Sequence, residues 1–445
     1  MQAMMLLVLD HPGSAAAEAQ DAPAATAVPA SPTGPAPWTT NTPIASVRKQ
    51  LYLAHSAPRA AAVVSVQYVG LGMEMREWQA VEKVSDVADK QRARWSKDNG
   101  VTWSDWVPQS PSSMVDYQGV KASESGWADT FDPGSGLLLQ LWLRQIETNR
   151  LFHNVTYLRT SKDNGRNWST PLPFRYEDSP PFDPERPLNG RYLSRSQGYP
   201  GNNILIRKDG SLVVCLAHAN APQDPQNELR AWRMGSVLFL GRWDPGASTY
   251  RWKRGARVEI SPELSARGLM DPEVAELKDG RLLVVWRGSD EAWNGSKAKE
   301  PGRKWYSLSE DGGQKLAPIA PWCYSDGEVF YSPSSIHRTI RHSASGKLYW
   351  LGNICIAPPQ GNHPRYPLLI GEVDESSGRL KRETLSVIAD REPTQGAQVQ
   401  FSNFSLIENR VTHDLEIYLT SYGQEPKAED WATADCWKYS VTISP

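Results

Sequence analysis

The sequence predicts an all-β fold built as a six-bladed β-propeller of four-stranded antiparallel sheets, and three observations lead there. A short phrase recurs at long range: Ser96-Lys97-Asp98-Asn99-Gly100-Val101-Thr102-Trp103 is followed by Ser161-Lys162-Asp163-Asn164-Gly165-Arg166-Asn167-Trp168. A reduced third copy, Ser309-Glu310-Asp311-Gly312-Gly313, lacks the tryptophan. Such recurrence marks a repeat architecture. Second, Gly136, Gly210, Gly280 and Gly346 each precede an apolar strand, at steps of 74, 70 and 66 residues. Third, few segments carry a helical period, whereas short strands punctuated by the 33 glycines and 34 prolines are frequent, as in all-β chains.

The glycine spacing sets the number of blades. The strands that follow are Leu137–Gln145, Ser211–Ala219, Arg281–Ser289 and Lys347–Cys355. Another step reaches His413-Asp414 before Leu415–Tyr422, and a step back of 77 from Gly136 reaches Arg59 before Ala60–Val69. Six hairpins result, and residues 38–445 divide into units of about 68. Lys208-Asp209-Gly210 and Lys278-Asp279-Gly280 carry the Asp-Gly turn signal. Units longer than minimal propeller repeats place the surplus in loops, where sites are built. The segment from Trp431 to Ile443 is expected to supply the strand that closes the ring.

Residues 1–37 stand apart. Leu6-Leu7-Val8-Leu9 is short for an export signal and lacks a basic start, and an Ala/Pro-rich stretch follows. The expectation is a degenerate export signal with a disordered linker, hence a secreted or periplasmic protein, ahead of a propeller over 38–445. A net charge of −2 offers no basic footprint for nucleic acid, and no run approaches a membrane span. Cys215, Cys323, Cys355 and Cys436 lie too far apart for zinc-type spacing. Asp98 and Asp163 lack the further oxygen ligands of a calcium loop. No metal or cofactor is therefore expected. Eighteen Trp and sixteen Tyr suit both blade packing and sugar stacking.

In the recurring phrase, Asp-Asn-Gly tolerates positive φ and the Ser and Asp side chains can hold backbone amides, so the phrase reads as a turn pinned by its Trp. It resembles the Asp box, the bacterial neuraminidase repeat of sialidase β-propellers. The segment Met270-Asp271-Pro272-Glu273-Val274-Ala275-Glu276-Leu277-Lys278-Asp279-Gly280, running on to Trp286-Arg287, is similar to the sialidase stretch in which an acid precedes a strand and the next strand ends in Arg. The resemblance implies Arg287 as a carboxylate-binding arginine and Asp271 as the acid that serves the nucleophile. Asn362-His363-Pro364-Arg365-Tyr366-Pro367 resembles the loop carrying a further such arginine, here Arg365. Paired guanidinium forks suit one carboxylate.

Two features depart from that family. No Arg-Ile-Pro occurs, leaving Arg48 or Arg59 as stand-ins for the first arginine. Phe401 stands where the nucleophilic Tyr is expected, and it has no hydroxyl with which to attack. Tyr324-Ser325-Asp326-Gly327-Glu328-Val329-Phe330-Tyr331 supplies substitutes: Glu328 to pair with Asp271, Tyr331 or Tyr324 as the phenol, and Asp326 for binding. The acid/base that the resemblance implies falls at Asp86 or Asp89. His218 and Tyr199 would instead serve a lyase that abstracts a proton from a uronate. Polar residues end five successive hairpin strands (Arg144, His218, Arg287, Asn353, Thr420), as a polar floor or as ordinary strand ends. Three readings follow: an exo-acting glycoside hydrolase on a carboxylate-bearing sugar, a uronate lyase, and a non-catalytic glycan-binding propeller. In each the partner is a glycan.

Overall fold

A computed structural model describes residue 38 and residues 42–444, apart from 85–86, 110–112, 149–150, 176–178, 220–234 and 293–294. The chain forms six antiparallel sheets. From inner to outer strand, blade 1 is Ala61–Tyr68, Met75–Val84, Val87–Ser96 and Val107–Pro108. Blade 2 is Val120–Asp132, Leu137–Thr148, Leu151–Ser161 and Leu172–Pro173, with Ser113–Tyr117 added beside its inner strand. Blade 3 is Tyr199–Ile206, Leu212–Ala219, Gly235–Asp244 and Thr249–Val258. Blade 4 is Met270–Glu276, Leu282–Arg287, Lys304–Ser309 and Ala320–Pro321. Blade 5 is Arg338–Arg341, Leu348–Asn353 and Leu368–Asp374, whose outer side pairs with both Arg379–Leu380 and Ser386–Ala389. Blade 6 is Phe404–Glu408, Leu415–Thr420 and Cys436–Ile443, with Ile44–Leu53 outermost.

The predicted six-bladed propeller is thus present, with two corrections. The ring is closed by the N-terminal strand Ile44–Leu53 pairing with Cys436–Ile443, so the Trp431–Ile443 segment supplies the third strand of blade 6. The back-step to Arg59 lands before an inner strand. The hairpin equivalent to Gly136 joins Tyr68 to Met75 through Gly70 and Gly72. Loop length varies at little free-energy cost, so equal steps between hairpins are not enforced physically.

Apolar layers fill the gaps between blades. Leu139, Tyr199, Leu216 and Phe239 join blades 2 and 3; Val213, Leu238, Val284 and Trp286 join 3 and 4. Leu283, Trp322, Trp350 and Leu369 join 4 and 5, and Leu351, Ile370, Phe401 and Ile417 join 5 and 6. Alternating strand residues face the two neighbouring layers, which is why these strands read as nearly continuous apolar runs.

The recurring phrase forms the turn between third and outer strands of blades 1, 2 and 4. In blade 2, the Ser161 hydroxyl accepts from Gly165 N (2.9 Å) and donates to Asp163 (2.7 Å), while Asp163 accepts from Asn167 N (2.8 Å). Blade 1 repeats this with Ser96, Asp98, Gly100 and Thr102, and blade 4 with Ser309, Asp311, Gly313 and Lys315. Asn99 and Asn164 adopt φ of +60° and +61°, the left-handed region that Asn tolerates.

Candidate functional site

Strand direction alternates across a blade, so the start of an inner strand, the end of the second and the start of the third share one face. In blade 4 this row holds Met270, Arg287 and Lys304, register partners across the three strands. Asp271 follows Met270, with φ of +42°, an uncommon conformation for a non-glycine that costs on the order of 1–3 kcal/mol. The turns built by the recurring phrase lie at the opposite ends of the strands.

Arg287 is fully buried and its fork is spoken for on three sides. Its Nη1 donates to Asp271 Oδ2 (2.7 Å), its Nε to the Ser334 hydroxyl (2.6 Å) and its Nη2 to Asn362 Oδ1 (3.4 Å). Arg365 arrives from the loop between second and third strands of blade 5, donating to Gln400 Oε1 (2.6 Å) and to the Ser334 carbonyl (2.7 Å). Ser334, itself buried, therefore staples the two arginines through hydroxyl and carbonyl. Buried Asn353 fixes the Arg365 loop by donating to the carbonyls of Arg365 (3.1 Å), Pro367 (2.9 Å) and Phe401 (3.3 Å). Asn202 of blade 3 ties the carbonyls of Asp271 (3.0 Å) and His337 (3.1 Å). The sequence-predicted trio Asp271, Arg287 and Arg365 is thus brought together.

Two basic residues that sequence reasoning missed join it. Arg267 reaches Asn362 Oδ1 (3.4 Å) and the Glu291 carbonyl (2.8 Å); burial, then the neighbouring Arg287, lowers its guanidinium to about 10. Lys304 is fully buried and donates to the Ser335 carbonyl; burial and the charges of Arg287 and Arg365 push its amine well below the ordinary lysine range. Arg267 stands four residues before Asp271, and Lys304 opens an apolar strand. Without the register, both read as ordinary surface charges. Four basic side chains, none more than 7 % exposed, gather here; among the described residues Arg287 is the one ion-paired with Asp271, while Glu291 and Asp290 also act on Arg267. Asp271 Oδ1 is buried with no hydrogen-bond partner among the described residues.

The other predicted residues lie elsewhere. Glu328 and Asp326 are surface carboxylates, 68 % and 55 % exposed, both paired with Arg382 (2.5 and 3.1 Å) on the outer side of blade 5. The expected Glu328–Asp271 pair is not formed, because Asp326-Gly327 turns the chain outward before it reaches the axis. Tyr324 is core, beneath the Arg382 guanidinium (4.2 Å) and against Phe330. Tyr331, half-buried, stands three residues before Ser334 on the same segment, and its carbonyl accepts from Cys355 N (2.9 Å). Tyr199 is buried edge-on against Trp127 (5.2 Å) in the layer between blades 2 and 3, which removes it from acid–base work. The His218 side chain lies outside the described residues, as does Asp86; Asp89 is exposed on blade 1.

Arg48 and Arg59 are exposed and pair with Asp414 (3.8 Å) and Asp430 (3.3 Å), so neither serves as the missing arginine. Phe401 is buried, and its N–H donates to the Arg365 carbonyl (2.9 Å). Two of the other polar strand ends are latches. Thr420 bonds the Ala62 carbonyl across the ring closure (2.8 Å), and Arg144 pairs with Glu124 (2.6 Å) and Tyr157 (2.6 Å).

No protein-family profile matches the chain, and no curated protein matches by sequence. Solved structures do. A protein of unknown function from Dyadobacter fermentans matches with a TM-score of 0.56 at 15 % identity, over 90 % of this chain and all of that one. A point mutant of the NanB sialidase from Streptococcus pneumoniae matches with a TM-score of 0.53 at 10 % identity, over 90 % of this chain and 70 % of that one. A Hadza microbial sialidase matches with a TM-score of 0.52 at 12 % identity, over 86 % and 65 %. In architecture this chain is therefore a sialidase-like six-bladed β-propeller.

Proposed function

We propose that the chain is a carbohydrate-active enzyme, an exo-acting glycoside hydrolase whose substrate is a sugar bearing a carboxylate. The observation that carries this is the convergence of buried basic side chains around one segment. Ser334 joins Arg287 to Arg365, with Arg267 and Lys304 beside them. Guanidinium forks match a carboxylate in geometry. The likeness in fold to sialidases supports a glycan substrate, although fold alone does not fix chemistry. In this reading Arg287 and Arg365 grip the carboxylate. Asp271, whose Oδ1 has no hydrogen-bond partner among the described residues, takes or gives the proton. Tyr331, on the segment that carries Ser334, is the phenol that replaces the one lost at Phe401.

The test is a panel of aryl sialosides, aryl uronides and neutral aryl glycosides, alongside uronate polysaccharides. Release of aglycone from carboxylate-bearing sugars alone, lost in Asp271→Asn and Tyr331→Phe, is the expected result. Cleavage of neutral sugars only would overturn the substrate class. Appearance of the ultraviolet absorbance of an unsaturated uronate would replace hydrolysis by elimination.

A further inference from the structure

We propose that Lys304 is the anion sensor of this site: it rests as an uncharged amine when no ligand is bound and takes up a proton when an anion docks beside Arg287 and Arg365. The inference rests on the anion-binding reading above and goes beyond it by assigning a specificity device to a residue that reading does not need.

The geometry comes from every element around the amine. Arg287 stands opposite it on the second strand of blade 4, and Asp271 lies on the inner strand. Arg365 comes from the blade 5 loop, with Cys355 and His337 on neighbouring segments of blade 5. Arg267 reaches Arg287 through Asn362. The Asp271 carboxylate is held by Arg287, and no carboxylate lies within ion-pair distance of Lys304 among the described residues. Cys355 is pushed up to about 12 by burial and is no counter-ion at neutral pH. Burial drives His337 well below the ordinary histidine range, so it adds no positive charge. A fully buried ammonium beside guanidiniums, with no carboxylate in ion-pair distance among the described residues, gives up its proton because desolvation disfavours the charged form. The neutral amine still donates to the Ser335 carbonyl, so no hydrogen bond is lost.

A bound carboxylate reverses the balance. It adds negative charge beside Arg365 and the Asp271-paired Arg287 and attracts an ammonium, so the lone pair on Nζ takes a proton from solvent. A neutral sugar brings no such charge. The site then discriminates anionic from neutral sugars by more than its arginines provide, and affinity falls as pH rises through the Lys304 value of the complex.

Calorimetric titration of the full chain with N-acetylneuraminic acid and with glucuronic acid, at one neutral pH in imidazole and in Tris, buffers that bring no competing oxyanion, tests this. The expected result is a binding enthalpy that differs between buffers by one proton's worth of their ionisation heats, with uptake as the sign. Lys304→Met is expected to bind at least tenfold more weakly with no buffer dependence. Buffer-independent binding by the parent chain overturns this inference and leaves anion binding standing. Absence of binding by both acids at millimolar concentration overturns both. If Lys304→Met fails to fold, the two-buffer comparison on the parent chain decides alone.

Discussion

Arg287, Asp271 and Lys304 occupy one blade but differ in what their removal does. Arg287→Ala strands the Asp271 carboxylate in a dry site and is expected to destabilise by about 3–5 kcal/mol, so lost activity in that variant reports folding as well as chemistry. Lys304 is the reverse case. Its folded-state amine lies below the unfolded value of 10.5, so between the two the unfolded chain binds more protons. The resulting destabilisation is fully present at and below the folded-state value and vanishes as pH rises through 10.5. In the ligand-free protein, Lys304→Met is expected to melt higher by roughly 2–4 °C at neutral pH, with the gap closing towards alkaline pH. A constant gap across pH would show that Lys304 is already paired in the folded state. Glu328 marks the contrast at the surface. Glu328→Gln breaks an exposed pair with Arg382 and is expected to cost no more than about 1 kcal/mol, with hydrolysis unchanged. A loss of activity in that variant would return Glu328 to the reaction.

At the scale of the element, the recurring turn is a staple between neighbouring blades. Asn99 of the blade 1 turn bonds Asn409 of blade 6 (2.9 Å), Trp95 of blade 1 donates to Asn164 of the blade 2 turn (2.7 Å), and Ala256 of blade 3 donates to Gly313 of the blade 4 turn (2.8 Å). Each turn reaches back to the blade before it. The Trp adds a second device. Arg94 stacks on Trp103 (4.8 Å) and Arg159 on Trp168 (4.5 Å), in each case an Arg two residues before the Ser. The third copy has Ser307 at that position and no Trp, so the cation and the ring are lost together, as expected of a cation–π pair. Ser161→Ala leaves the buried Gly165 N–H without its acceptor and is expected to cost about 1–2 kcal/mol, read as a lower unfolding midpoint with activity retained. An unchanged midpoint would show that the turn is set by its Asn-Gly backbone preference alone.

Over the whole molecule, closure decides whether six sheets make one body. Ile44–Leu53 covers the edge of Cys436–Ile443, Thr420 bonds the Ala62 carbonyl, and Ala62 donates to the Ala434 carbonyl (2.9 Å), so the first and last described strands pair in blade 6 and blade 6 is tied to blade 1. A chain begun at Ala54 loses the closing strand and exposes an eight-residue edge. It is expected to be recovered mainly as aggregate by size-exclusion chromatography, since an open strand edge templates pairing. A monomeric product melting within a few degrees of the parent would show that the inter-blade layers hold the ring unaided.

The sequence by itself determined the repeat, the number of blades and the trio Asp271, Arg287 and Arg365. Each of these rests on local signals: turn chemistry at Asp-Gly and Asn-Gly, apolar runs, and two short segments, 270–287 and 362–367, read by resemblance. What surrounds Asp271 was decided by the tertiary structure. Lys304 joins through strand register, Arg267 and Asn362 through two separate loops, and Ser334 through a segment crossing from the next blade. Glu328 sits 41 residues after Arg287 in a cluster rich in carboxylates and phenols, yet one Asp-Gly turn sends it to solvent. Tyr199 ends in an apolar layer because its alternating position faces blade 2. Periodicity along a strand is written in the chain, whereas which loops converge on the axis depends on how six blades close, and that is a property of the ring.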